Sequence, residues 1–197
     1  QILKKKSTMS PIAFDQNYGG RWTGSSDGAL VNINRLMACR VLEKPILAAE
    51  SDRDEYYMAV DVARSQNTNN NQSSIVVGKI NRDPQTNRIL SVDIPYLVNM
   101  SNVLNFSTQA LTIKKIASLY HPKMVIVDGN GLGTGLIDEL LKETKDPITG
   151  ESYGCWDTIN TDNEPEIKGS PKCVYDIKAQ GVQSRILTIF MDMDSMS

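Results

Sequence analysis

Two aspartates interrupt runs that are otherwise apolar: Asp61 within Tyr56-Tyr57-Met58-Ala59-Val60-Asp61-Val62, and Asp128 at the end of Met124-Val125-Ile126-Val127. A carboxylate left unpaired among Val, Met and Ile side chains is costly, so something has to offset it. If the two runs are neighbouring strands, both carboxylates emerge near one edge and can share a divalent cation, which removes the repulsion that would otherwise raise one pKa. Two such ions about 3.5–4 Å apart can deprotonate a water and stabilise the leaving oxygen of a phosphodiester, a hydrolysis that needs no histidine. The plainer alternative is that both aspartates terminate strands and accept backbone hydrogen bonds.

The residues around them narrow the chemistry. The single histidine, His121, excludes a multi-histidine zinc site within this chain, so a metal would be held mainly by carboxylates, which favours Mg2+ or Mn2+. His121 itself precedes Pro122 at a helix end, where a surface or capping role is commoner than that of a base. Gly129, Gly131, Gly133 and Gly135 follow Asp128 and either let backbone approach a phosphate or make a tight strand-to-helix turn. The stretch matches neither the GxxxxGK[ST] phosphate loop, because no lysine follows, nor a dinucleotide fingerprint. Arg64, Gly129 and Asn130 are the candidates for contacting nucleic acid, although Arg64 is equally able to pair with Asp52 or Asp54. Cys39, Cys155 and Cys173 are too few and too scattered for a disulfide framework and read as buried or inert thiols.

These residues need elements to position them. The segment from Glu55 to Val62 reads as a first strand, buried on both faces. A polar loop, Ser65 to Gln72, leads to Ser74–Ile80; Asn81-Arg82-Asp83-Pro84 then turns the chain into Arg88–Ile94, completing a three-stranded antiparallel meander. Ile113, Ile116, Ala117 and Tyr120 share one helix face, with Ser107 as the expected cap and Pro122 as the stop. Met124–Asp128 is a further strand and Leu136, Ile137, Leu140 and Leu141 mark a second helix. Trp156–Ile159 reads as a short strand, and Val182, Ile186, Ile189, Phe190 and Met193 mark a last amphipathic helix, weakened by Gly181. The expected fold class is α/β, with a mixed sheet of the ribonuclease H-like kind: an antiparallel meander plus parallel strands, flanked by helices.

Composition sets the outer limits. A chain of 197 residues holds one sizeable domain plus an appendage, and 40% hydrophobic with 22% charged residues is ordinary for a globular protein. No window approaches the roughly 20 apolar residues of a membrane span. The formal charge of −2 gives no global attraction for nucleic acid, so a DNA-binding surface must come from local basic clusters. Residues 1–52 have the weakest periodicity, with Lys4-Lys5-Lys6 and several glycine turns, and read as a linker with short helices; residues 53–197 carry the strand and helix pattern.

The Tyr56–Arg64 segment, the Ser73–Val77 strand and Val125-Ile126-Val127-Asp128-Gly129-Asn130-Gly131-Leu132-Gly133 resemble, in order and spacing, the nuclease domain of phage terminase large subunits. Tyr175-Asp176-Ile177-Lys178-Ala179-Gln180-Gly181 is similar to the stretch where that family shows an asparagine–lysine-type motif opening a long helix, and Phe14–Tyr18 with Trp22 to its passage out of the ATPase domain. The resemblance implies a magnesium- or manganese-dependent endodeoxyribonuclease that cuts double-stranded DNA by metal-activated water during viral DNA packaging. Asp61 and Asp128 would be both catalytic residues and metal ligands. It implies a portal protein and a small terminase subunit as partners, no membrane association, and the host-cell cytoplasm as location. Residues 1–52 would then be the end of an ATPase-domain segment, and 53–197 a nuclease domain truncated at its C-terminus. The family's third carboxylate lies on a helix well past the second aspartate and is expected beyond Ser197, with Asp192 and Asp194 the nearest substitutes. Relatives also carry an acid in the loop after the first strand, which Asn67–Gln72 lacks.

Two other readings compete. A non-catalytic module of the packaging motor would keep the fold and bind DNA or portal without carboxylate-dependent metal binding. An actin-like ATPase shares the sheet, but its first strand is followed by a short glycine-bearing hairpin, and the asparagine-rich loop after Asp61 has no glycine.

Overall fold

A computed structural model of the chain describes residues 33–63, 72–101 and 104–178. The lysine run, Arg64, most of the asparagine-rich loop and the expected helix from Val182 to Met193 lie outside the described residues. The chain divides into two units, of which Lys44–Val182 bears the sheet. In the other unit the described part is a short helix, α1 (Ile33–Ala38), after which the Arg40 amide donates to the Met37 carbonyl at 3.2 Å.

In the sheet-bearing unit the meander comprises β1 (Glu55–Asp61), β2 (Ser73–Arg82) and β3 (Ile89–Met100). Helix α2 (Phe106–Tyr120) crosses to β4 (Met124–Asp128), and α3 (Gly133–Leu140) follows. A small hairpin of β5 (Thr144–Lys145) and β6 (Ser152–Tyr153) precedes β7 (Asp157–Thr158) and β8 (Lys172–Ile177). The six-stranded sheet has the order β3-β2-β1-β4-β8-β7. β1 pairs antiparallel with β2, and β2 with β3, whereas β1 with β4, β4 with β8 and β7 with β8 are parallel. The chain is therefore an α/β protein with a mixed sheet flanked by helices. Among the described residues no helix is long and apolar enough to cross a membrane.

Periodicity explains which side is buried. Tyr56, Met58 and Val60 of β1 point to the same side as Ile75 and Val77 of β2, Val125 and Val127 of β4, and Val174 of β8, all buried. Against this face α2 sets Ala110, Ile113, Ile116, Ala117 and Tyr120, and α3 sets Leu136, Ile137 and Leu140. Each of the Val, Leu, Ile and Met side chains among these stabilises by about 1.5–3 kcal/mol relative to exposure. Tyr56 and Tyr120 meet edge to face with ring centres 5.4 Å apart. The expectation that β1 is buried on both faces is wrong: its burial alternates, and Ala59 and Asp61 are exposed. The apolar run misleads because Ala59 and Tyr57 are compatible with a half-covered surface.

Three boundaries also differ from expectation. β3 continues to Met100 through Pro95, which an edge strand tolerates because no ladder partner needs its missing N–H. There the register jumps from Val77↔Tyr96 to Lys79↔Asp93, a bulge opposite Gly78. The cap of α2 is Asn105, whose side chain accepts from the Thr108 amide at 2.8 Å, and Ser107 instead donates to Glu139 Oε2 at 2.5 Å. Lys172–Ile177, to which the sequence pattern assigns no element, is a central strand between β4 and β7.

Candidate functional site

The parallel strands β1, β4 and β8 end together, and Asp61 and Asp128 are the last residues of β1 and β4. Val60 is the register partner of Val127, so each aspartate lies one step further along adjacent strands and faces away from the helix-covered core. Neighbouring strands are about 4.8 Å apart, so the two side chains rise side by side from one face. On its other side Asp61 pairs with Ser74, whose hydroxyl lies 2.8 Å from Asn99 Oδ1, extending a polar row across the sheet.

Asp61 is exposed and Asp128 half-buried, so the cost of enclosing an unpaired carboxylate falls on neither as the apolar flanks suggest. Asp128 Oδ1 accepts from the Asn130 amide at 3.0 Å and from Asn130 Nδ2 at 2.8 Å. Part of the plainer reading is thus realised: Asp128 takes a backbone hydrogen bond at a strand end. Both bonds fall on the same oxygen.

The chain leaving Asp61 is pinned from inside. Ser73 is fully buried, and its hydroxyl accepts from the Ala63 amide at 2.8 Å and lies 2.8 Å from the Ala63 carbonyl and 2.9 Å from Gln109 Oε1. Gln109, also buried on α2, donates to the Leu104 carbonyl at 3.0 Å. This network fixes where β1 ends and so where Asp61 stands, since buried polar groups with every bond made resist displacement.

The glycines after Asp128 are explained by close approach. A Cβ on Gly133 would fall 1.7 Å from the Asp128 carbonyl oxygen, and one on Gly129 would fall 1.8 Å from Asp176 Oδ1. Gly131 has φ +59, the left-handed region. A tight strand-to-helix turn accounts for all three without a phosphate. Gly129 and Asn130 lie on this turn beside Asp128, whereas Arg64 is outside the described residues and Asp54, one of its expected partners, pairs with Lys79 at 3.0 Å. His121 is the C-cap of α2, with φ 49 and its amide donating to the Ala117 carbonyl at 2.8 Å, as a capping role requires.

Asp176 was not singled out from the sequence as a site residue. It is the register partner of Val127 in β8, is 9% exposed, and its Oδ1 has no hydrogen-bond partner among the described residues. The signal was present: with period 2, Val174 and Asp176 fall on the same inward face, so an acid occupies a core position. Among the described residues no three histidine, cysteine or carboxylate side chains converge as a metal cluster. Asp61 and Asp128 as a pair nonetheless offer the hard oxygen donors that a magnesium- or manganese-class ion takes, whereas Asp176 stands at the same end of the sheet but on its inward face. The donor chemistry fits such an ion.

No protein-family model matches the chain, and no curated protein matches it.

Proposed function

We propose that this chain is the divalent-metal-dependent endonuclease domain of a phage-type terminase large subunit, cleaving double-stranded DNA during packaging on a ribonuclease H-like sheet. The observation that carries the reading is the placement of Asp61 and Asp128 on one face, at the same end of adjacent parallel strands. The strand order, with β1 central between an antiparallel hairpin and parallel β4, is compatible with that fold.

In this reading Asp61 and Asp128 hold the cation, Asn130 orients Asp128, and the Ser73–Gln109 network keeps Asp61 in register. A bound Mg2+ or Mn2+ supplies Lewis acidity toward the attacking water and the scissile phosphate. Arg64, Gly129 and Asn130 would contact the DNA backbone, and the portal protein and small terminase subunit would be the protein partners. Plasmid cleavage in Mn2+ tests the proposal, with Asp61→Asn as the comparison. Full activity in that variant would falsify it.

The convergence of only two carboxylates among the described residues favours a second reading, a docking module that keeps the fold without catalysis. Manganese titration separates them: the nuclease reading requires binding that Asp61→Asn weakens, and the docking reading requires none.

A further inference from the structure

We propose that Asp176 is a positioning residue for the Asp128 turn, and that its buried negative charge strengthens cation binding there without ligation. The inference rests on the cation site proposed above. Asp176 is held rigidly by Asn160, whose Oδ1 accepts from the Asp176 amide at 2.9 Å and whose Nδ2 donates to the Asp176 carbonyl at 2.8 Å. With both main-chain groups fixed, the Cα–Cβ bond of Asp176 has a fixed direction from the strand.

That side chain runs under the turn. Its carboxylate fills the space that a Cβ at position 129 would occupy, with the hypothetical Cβ 1.8 Å from Oδ1, 2.5 Å from Cγ and 2.9 Å from Oδ2. The Gly129 amide donates to the Ile177 carbonyl at 3.2 Å, and the Gly129 carbonyl accepts from Thr134 Oγ1 at 3.1 Å. Gly129 is therefore held by β8 through its N–H and by α3 through its carbonyl. Asp176 lies beneath it, and Asn130 ties the Asp128 carboxylate.

Shape alone does not require an acid here. A neutral side chain could fill the same space, yet the position holds a carboxylate that is nine-tenths buried with one oxygen unbonded. Among the described residues Lys178 pairs with it, Nζ 4.0 Å from Oδ2, but its side chain is 71% exposed, so it compensates the charge only weakly. Asp176 stands on the inward face and the Asp128 carboxylate on the outward one, and because a buried charge is poorly screened its field reaches through the turn to the far face. Its effect is to raise cation affinity while leaving the number of ligands unchanged.

The test is calorimetric titration of the full chain with Mn2+. Asp176→Asn keeps shape and removes charge; it is expected to weaken binding about tenfold at unchanged stoichiometry. Gly129→Ala is expected to abolish binding by collision with Asp176, and the double variant Gly129→Ala with Asp176→Ala to recover the affinity of Asp176→Ala alone. Wild-type affinity in Asp176→Asn overturns the proposal, whatever Asp61→Asn does. Wild-type affinity in Asp61→Asn overturns the Asp61–Asp128 site and with it the role of Asp176, whereas wild-type affinity in Asp176→Asn with weakened binding in Asp61→Asn overturns that role alone. No binding by the unaltered chain overturns both.

Discussion

Asn130 donates to the same oxygen of Asp128 twice, once from its backbone N–H and once from its side-chain amide. The backbone bond is kept in any variant other than proline, whereas the side-chain bond fixes the rotation of the carboxylate. Asn130→Ala is expected to leave the melting temperature nearly unchanged and to lower Mn2+ affinity about tenfold, as losing an outer hydrogen bond to a ligand does. Calorimetry on the two proteins decides the point, and equal affinities would show that Asp128 needs no orienting.

Glu55 begins the strand that Asp61 ends, and Arg82 grips it with a fork, Nε to Oε2 at 2.8 Å and Nη2 to Oε1 at 2.9 Å. The guanidinium holds the Glu55 carboxyl down from 4.5 to about 2. A carboxylate with a depressed folded pKa stabilises above its unfolded value and loses that contribution as pH falls through the folded one. Between pH 4.5 and 2 the wild type should therefore lose melting temperature more steeply than Glu55→Gln. Parallel melting curves for the two across that window would remove the pair from the stability of the sheet.

Lys114 is a buried cation on α2 with 1% exposure, donating to the Lys142 carbonyl at 2.5 Å, the Gly154 carbonyl at 3.0 Å and Thr144 Oγ1 at 3.2 Å. Its ammonium also lies 5.6 Å from the centre of the Trp156 ring. Burial pushes its pKa down, so the charge is a cost, but the lysine joins α2 to the β5–β6 hairpin. Lys114→Met removes the cost and leaves three acceptors unsatisfied. Since each orphaned group costs about 1–3 kcal/mol, destabilisation of about 3 kcal/mol is expected by urea unfolding. An unchanged midpoint would mean that water takes over the lysine's bonds.

His121 ends α2 with φ 49, a conformation that disfavours side chains. His121→Gly is expected to stabilise by about 0.5–1 kcal/mol and to leave Mn2+ binding untouched. Weakened metal binding in this variant would show that the capping role is incomplete.

Much of this fold was legible because its strands are strongly patterned. β1 and β4 end on the aspartates that break their apolar runs, and the helix face of Ile113, Ile116, Ala117 and Tyr120 is the one α2 buries. What escaped is non-local. Pro95 usually ends a strand, and only the edge position of β3 lets it continue. Lys114 and Gln109 look like solvated helix residues until the carbonyls of Lys142, Gly154 and Leu104 are brought to them by segments distant in sequence or by the helix entry. Asp176 sits in a strand whose alternation is short, and nothing local marks Val174 and Asp176 as facing the core until β8 is seated between β4 and β7. The sharing of one face by Asp61 and Asp128 was expected from strand adjacency, whereas the Asn130 bonds that occupy one Asp128 oxygen depend on turn geometry that residue types do not specify.

The proline within β3 has a consequence for how copies of this protein meet. Pro95 offers no N–H along the outer rim of the sheet, and its carbonyl is already taken by the Ile46 amide at 3.1 Å. A foreign chain zipping along that rim would stall midway. Past the stall, toward the hairpin tip, Ile89, Leu90, Val92 and Ile94 remain exposed, and the β-bulge marks where that sticky stretch begins. Strand addition at this edge would be confined to the short stretch between the tip and the bulge.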